Sequence, residues 1–189
     1  MALDILKKVY YFLLDFLQTI LLIAAGVLVI YVFLFRPFQV SGSSMYPNFH
    51  DGEHIITNLI GLRVSNLKLG DVVVFSAPPD PEKDFIKRVI GVPGDRISLK
   101  GGYVYLNGGK LDESPYLSSA VKTYPGSFLR EGEEITVPLD EYFVLGDNRP
   151  ESSDSREWGF VPKKNVVGLS FLIYLPLNEI AIVKNPYQK

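Results

Sequence analysis

Three serines, Ser41, Ser43 and Ser44, crowd the segment Val40-Ser41-Gly42-Ser43-Ser44-Met45-Tyr46-Pro47. A serine hydroxyl becomes a useful nucleophile only where a base takes its proton. The chain offers two kinds of base. One is the pair of histidines, His50 and His54, set in His50-Asp51-Gly52-Glu53-His54. That is the H-x-x-E-H spacing of one zinc peptidase class. Zinc chemistry of this kind needs a helix, so that both imidazoles leave one face. Asp51-Gly52 is a turn signal, His54–Thr57 (HIIT) reads as strand, and a third ligand would have to be a carboxylate. The spacing is read as accidental, and no metal or other cofactor is expected. The other base is lysine, whose neutral amine accepts a proton only where burial has lowered its pKa by several units. Lys87, flanked by Phe85, Ile86 and Val89, meets that need better than most lysines of the chain. On composition alone the Gly/Ser segment is an ordinary polar turn and Lys87 a solvated strand residue, so residue chemistry leaves histidine and lysine both open.

Such groups need a scaffold, and the sequence divides sharply at residue 35. Phe16 to Phe35 (FLQTILLIAAGVLVIYVFLF) is twenty positions without a charge. At about 1.5 Å per residue, a helix of that length covers ~30 Å, the hydrocarbon thickness of a bilayer. A core helix would carry a polar stripe, which Gln18 and Thr19 do not make. A cleavable secretory signal would end in small residues, whereas Phe35-Arg36-Pro37-Phe38 follows. A retained membrane anchor is expected over 9–35, after a short segment 1–8. Lys7 and Lys8 before the span, against Arg36 as the one lysine or arginine in the twenty positions after it, place the N-terminus in the cytoplasm and residues 36–189 on the outer face.

All 13 prolines and 15 of the 16 glycines follow residue 35, where they punctuate short apolar runs. His54–Thr57, Val72–Phe75, Phe85–Ile90, Arg96–Lys100, Tyr103–Asn107 and Tyr142–Leu145 are strand-sized and rich in branched or aromatic residues. If Phe85–Ile90 is extended, Lys87 and Val89 share one face, and Ile86 and Arg88 the other. Val166–Leu175, ten residues closed by Pro176, is too short for a second span and reads as a buried strand. Residues Asn107–Asp140 look like an elaborated hairpin and loop. No segment after the anchor holds a helical hydrophobic period for three turns, so the expected fold is a mainly antiparallel β domain behind one transmembrane helix. The absence of cysteine excludes disulfides and a thiolate nucleophile. With 19 basic and 21 acidic residues there is no bulk electrostatic case for nucleic acid.

Four blocks in order resemble bacterial type I signal peptidase: Ser44-Met45-Tyr46-Pro47; Leu69-Gly70-Asp71-Val72-Val73-Val74-Phe75; Ile86-Lys87-Arg88-Val89-Ile90-Gly91-Val92-Pro93-Gly94-Asp95; and Gly146-Asp147-Asn148-Arg149 with Ser152-Ser153-Asp154-Ser155-Arg156 and Trp158-Gly159-Phe160-Val161-Pro162. The likeness runs over nearly the whole chain, and the short insert before the last block is similar to the compact Gram-positive type. It implies the catalytic fold shared with self-cleaving repressors, in a cell-membrane serine endopeptidase that removes signal peptides from secreted preproteins. Ser44 would be the nucleophile and Lys87 the general base, with Ser152 hydrogen-bonding the lysine amine. Asp147 with Arg88, and Asp154 with Arg156, would be supporting ion pairs. Val40, Met45, Phe49 and Ile86 would wall shallow pockets that admit alanine-sized side chains. Gly42 stands where the Gram-negative branch has an oxyanion-hole serine, which leaves the Ser44 backbone N–H as the evident donor. The expected partners are preproteins and the lipid bilayer. The competing readings are another Ser–Lys protease of similar fold and a non-enzymatic anchored β domain that binds extended peptide.

Overall fold

The computed structural model describes residues 2–59 and 66–188. Met1, 60–65 and Lys189 fall within the expected segments 1–8 and 36–189 but lie outside the described residues, as do the side chains of Ala2, Ile30, Val32 and Phe33. Two compact units divide the chain, Met1–Arg36 and Pro37–Lys189.

The first unit is one helix, α1 (Ala2–Leu34), which takes in residues expected as a tail before the span. Leucine and alanine, strong helix formers, recur along it, and the first proline comes only at Pro37. The stretch Leu3–Val29 is long and apolar enough to cross a membrane, and its most apolar window is unburied. An apolar stretch of that length suits hydrocarbon rather than water.

The second unit is antiparallel β. An eight-stranded sheet contains β1 (Phe35–Gln39), β2 (His54–Asn58), β3 (Val72–Ala77), β4 (Asp80–Gly91), β9 (Glu141–Leu145), β10 (Val161–Pro162), β11 (Val166–Leu175) and β12 (Ala181–Ile182). Its order is β1-β2-β11-β3-β4-β9-β10, with β12 on β11. A smaller sheet has the order β7-β6-β5-β8, from β5 (Arg96–Lys100), β6 (Tyr103–Leu106), β7 (Gly109–Lys110) and β8 (Glu134–Thr136). Among the described residues of this unit the longest α-helix is the single turn α2 (Ser155–Trp158).

Strand β3 shows why the apolar runs form this sheet. Val72 and Val74 pack with Val40, Met45, Phe49, Ile55 and Ile173. Val73 and Phe75 point to the opposite face, with Val89, Tyr142, Val144 and Val161. A period of two with both faces buried gives an unbroken apolar run instead of alternation. A third cluster, including Ile90, Ile97, Leu99, Val104, Leu129 and Phe143, joins the small sheet to the large one.

The region expected as hairpin and loop supplies β7 and β8 to the small sheet. Asn107 (φ 54°) and Gly108 (φ 84°) form the two-residue turn from β6 to β7, and both central residues need the left-handed region that asparagine and glycine tolerate best. Strand β4 begins earlier than its apolar core suggests. Its charged first residues are mostly exposed, and burial becomes complete only from Lys87 onward.

Candidate active site

Ser44 sits in the tight turns that follow β1. The Tyr46 N–H donates to Ser43 O (3.0 Å), and the N–H groups of Asn48 and Phe49 both donate to Met45 O (3.0 Å each). This coil turns Met45 and Phe49 inward, where they are 1% and 2% exposed, and leaves Ser44 half-buried at the surface. The apolar residue on each side of the turn is therefore its anchor. From the other side, Asn148 donates its backbone N–H to Ser44 O and its side-chain amide to Ser43 O, both at 3.0 Å.

Lys87 reaches this turn from β4, where it stands opposite Val73. Its Nζ lies 2.7 Å from Ser44 Oγ and donates to Ile86 O at 3.0 Å. The residue is 4% exposed, and its amine lies 5.3 Å from the centre of the Phe85 ring. Burial lowers its pKa to about 8, against the smaller opposing pull of Asp154 and Asp147. Those carboxylates pull weakly because each is bound to its own arginine.

Arg88, the next residue along β4, grips Asp147 through two bonds, Nε to Oδ1 at 2.8 Å and Nη2 to Oδ2 at 2.6 Å. It also donates to Gly70 O (2.9 Å) and lies 4.3 Å over the Tyr116 ring. Arg156 binds Asp154 in the same forked way, at 2.7 and 2.8 Å. Asp154 in turn accepts the Gly146 N–H at 3.0 Å and caps α2. Gly146 is required by space and not by backbone angle. A Cβ built there would lie 2.5 Å from Ser44 O and 2.1 Å from Ser152 Oγ.

A cleft of about 290 Å³ opens onto Ser44 and Lys87, with Phe38, Val40, Ile55, Val74 and Ile86 as apolar lining and Asp84, Glu151 and Ser153 among its polar residues. At Arg88 β4 pairs with both β3 and β9 and past it with β9; over Asp84–Lys87 its register is with β3 alone. Among the described residues no second strand pairs with that stretch, which lines the cleft.

Three further features bear on the expected site residues. Val40 and Ile86 line the cleft, but Met45 and Phe49 lie beneath it in the apolar cluster, because the coil at 45–49 turns them inward. Gly42 (φ 87°) gives its N–H to Asp51 Oδ1 at 2.7 Å, so that group is already engaged. The Ser152 hydroxyl is buried without a hydrogen-bond partner, while the lysine amine bonds Ser44 and Ile86 O instead. Packed against Gly146, Ser152 is near the serine but not on the amine.

The H-x-x-E-H histidines do not converge. His54 is the first residue of β2 and packs edge-on to Tyr174, whereas His50 precedes the turn and bonds Glu53. Sequence reasoning also passed over Arg149, whose fully buried guanidinium binds Glu113 and Thr123 and donates to Gly146 O. It passed over Asn48 as well, whose amide bonds Asp147 Oδ2 and Tyr116 O (2.9 Å each). Arg149 lies inside the last matched block, but nothing in linear spacing points to a partner at residue 113.

A serine hydroxyl in contact with a desolvated amine, at the floor of an open apolar cleft on a β scaffold, can run the chemistry of a serine hydrolase. Residues 13–175 match the family described as "Signal peptidase, peptidase S26". Signal peptidase IB of Staphylococcus aureus (strain MRSA252) is 34% identical over 186 residues, covering 91% of this chain and 96% of the relative. Signal peptidase I of Bacillus amyloliquefaciens is 38% identical over 175 residues, covering 90% and 92%. A crystal structure of a signal peptidase I from Enterococcus faecalis V583 shares 31% identity, covers 56% of this chain and 97% of that one, and has a TM-score of 0.46. The chain belongs to the signal peptidase (peptidase S26) family. It is a serine peptidase with a mainly antiparallel β fold behind one apolar helix.

Proposed function

We propose that this chain cleaves signal peptides from preproteins with Ser44 as nucleophile and Lys87 as general base, working at the face of the membrane that α1 spans. The observation that carries the assignment is the 2.7 Å contact between Lys87 Nζ and Ser44 Oγ, made by a lysine whose pKa is lowered to about 8. At pH 7 such a lysine is neutral in about a tenth of molecules; at the ordinary value of ~10.4 the fraction is roughly one in 2,500. Desolvation thus supplies the base.

The neutral amine accepts the Ser44 proton while Oγ bonds to the scissile carbonyl carbon. The carbonyl oxygen becomes an oxyanion, which takes a hydrogen bond from the Ser44 N–H, a donor without an acceptor among the described residues. The Lys87 ammonium then protonates the departing amine, leaving an acyl-enzyme on Oγ. Water gives its proton to the amine, attacks the ester and restores the serine. When neutral, Lys87 keeps an N–H on Ile86 O, which aims its lone pair, and Ser152 lies close enough to tune the position of the Ser44 backbone.

Substrate enters as an extended strand against the open edge at Asp84–Lys87, where main-chain bonds give affinity without demanding sequence. The Val40, Ile86 and Val74 walls of the cleft favour small apolar side chains beside the scissile bond. Lys7 and Lys8 orient α1 with its N-terminus cytoplasmic and the β unit on the outer face of the cell membrane. The test is cleavage of a preprotein by the purified full chain in detergent. Ser44→Ala and Lys87→Ala should each leave the preprotein intact while keeping the circular dichroism of the parent; turnover near the parent rate by either variant removes the assignment.

A further inference from the structure

The turn that follows the catalytic coil contains a group the hydrolysis does not use. Glu53 is 3% exposed, yet only one of its carboxylate oxygens is satisfied. Oε1 is 3.0 Å from His50 Nδ1, while Oε2 is buried with no hydrogen-bond partner. A buried carboxylate oxygen left unmatched is costly, and such groups are usually explained by a hydrogen bond or a cation. A third ligating group stands at the same place. Glu179 Oε2 is 4.0 Å from His50 Nδ1, and one ligand atom from each of His50, Glu53 and Glu179 lies within 4.8 Å of the others. All three side chains line one shallow surface cleft.

We infer that His50, Glu53 and Glu179 form an accessory binding site for a divalent transition-metal ion of the zinc type, separate from the Ser44–Lys87 centre. One imidazole nitrogen with two carboxylates suits zinc and its neighbours, whereas calcium and magnesium prefer all-oxygen shells. Zinc bonds of about 2.0–2.2 Å set ligand atoms roughly 3.3–3.5 Å apart, so a spacing of up to 4.8 Å needs adjustments of up to about 1.5 Å. Two of the three ligands, His50 and Glu179, are on half-open side chains that can make them. The fourth position faces solvent and takes water. His54 has no place in this set, which differs from the H-x-x-E-H arrangement in geometry as well as in role.

The site ties together two parts of the β unit. Glu179 ends the 3-10 turn Leu177–Glu179 after β11, and His50 and Glu53 bracket the Asp51-Gly52 turn. That turn is stitched to the chain just before Ser44: Val40 N–H donates to Glu53 O (2.8 Å), Gly52 N–H to Val40 O (2.9 Å) and Gly42 N–H to Asp51 Oδ1 (2.7 Å). A bound ion therefore clamps the scaffold of the nucleophile coil to the C-terminal segment. It adds stability and performs no step of the hydrolysis.

The test uses the full chain in detergent, stripped of metal and titrated with zinc chloride alone. One zinc per chain should bind with micromolar affinity or better and raise the melting temperature by about 5 °C at a hundredfold excess over Kd. His50→Ala should abolish binding, Glu179→Gln should weaken it at least tenfold, and His54→Ala should leave it unchanged. Cobalt should give the visible absorption bands of a four-coordinate nitrogen–oxygen site, absent from His50→Ala. Because His50 and Glu179 are exposed, these variants fold even if Glu53→Gln does not. Saturable binding that survives both exposed-ligand variants, or no saturable binding below about 100 μM, overturns the site.

Discussion

Lys87 and Arg88 are neighbours on one strand, both cationic and both 4% exposed, yet they have opposite chemical fates. Arg88 is met by both oxygens of Asp147, by Gly70 O and by the Tyr116 face, so its charge is fully matched. Lys87 meets a hydroxyl and one carbonyl, with no carboxylate in contact. Strand alternation sends the two side chains to different faces, and the environment of each face decides whether burial fixes a charge or removes it. A guanidinium stays charged wherever it is placed; a buried amine without a counter-ion gives up its proton more readily. The Arg88–Asp147 pair and the Arg156–Asp154 pair also keep two nearby carboxylates occupied, which would otherwise hold Lys87 protonated.

The sharpest way to break this contrast is at the dyad. Ser44→Ala and Lys87→Ala should each lower kcat/KM on a preprotein by at least ~10³-fold, since residues acting as one unit fail together. The double variant should be no worse than either alone, and single-turnover assays distinguish that from additivity.

Next in size is the matched face. Asp147→Ala leaves Arg88 buried and unpaired, with an expected loss of about 3–5 kcal/mol of stability by chemical denaturation. Activity should fall because the folded population falls, so cleavage per folded molecule, measured at low temperature, should drop less than in the dyad variants.

The unmatched face should behave in the opposite sense. Lys87 has a folded pKa of about 8 against an unfolded value near 10.5, so between those values the unfolded chain binds more protons and stability rises with pH. Below pH ~8 the penalty is complete, on the order of 3 kcal/mol. Lys87→Met should stabilise the fold by about that amount at neutral pH and by progressively less as pH rises towards 10.5. In the active chain, kcat/KM should rise with pH through an apparent pKa near 8. The limb should stay in place in the His50→Ala/His54→Ala double variant, and a limb that vanished there would reassign the base to a histidine.

Smaller effects follow from regions outside the contrast. The histidine double variant should cleave within about twofold of the parent, and chelators should leave the rate of peptide cleavage unchanged. A chain beginning at Arg36 should cut short peptides at the parent rate and preproteins in lipid vesicles more slowly, because anchoring supplies local concentration and not chemistry.

The sequence made the long apolar helix and most of the large sheet legible because their signals are local. A charge-free run and short β-branched segments each report on their own neighbourhood. β7 and β8 were not legible, being two and three residues of unremarkable composition that become strands only by lying beside β6 and β5. The start of β4 was hidden for a similar reason: Asp80–Asp84 is charged and exposed, and its pairing with β3 is its only strand signal. At the site, the apolar flank of Lys87 was visible, but its meeting with Ser44, 43 positions away, was suggested by resemblance and not by spacing. Arg149 and Glu113 show the same limit, since two ordinary surface-type residues become a partly buried pair only after the chain has closed.

Gly146 has a consequence of a different kind. It carries no reactive atom, and its backbone angle is open to any residue, so a survey of functional groups passes over it. Yet a single added methyl would collide with the Ser44 carbonyl and the Ser152 hydroxyl. In a saturation scan of this chain, position 146 should therefore appear as intolerant as the nucleophile itself, with alanine, usually the mildest replacement, already inactivating. What inheritance must preserve there is an empty volume, and drift at that position would silence the enzyme while leaving every catalytic side chain in the gene unchanged.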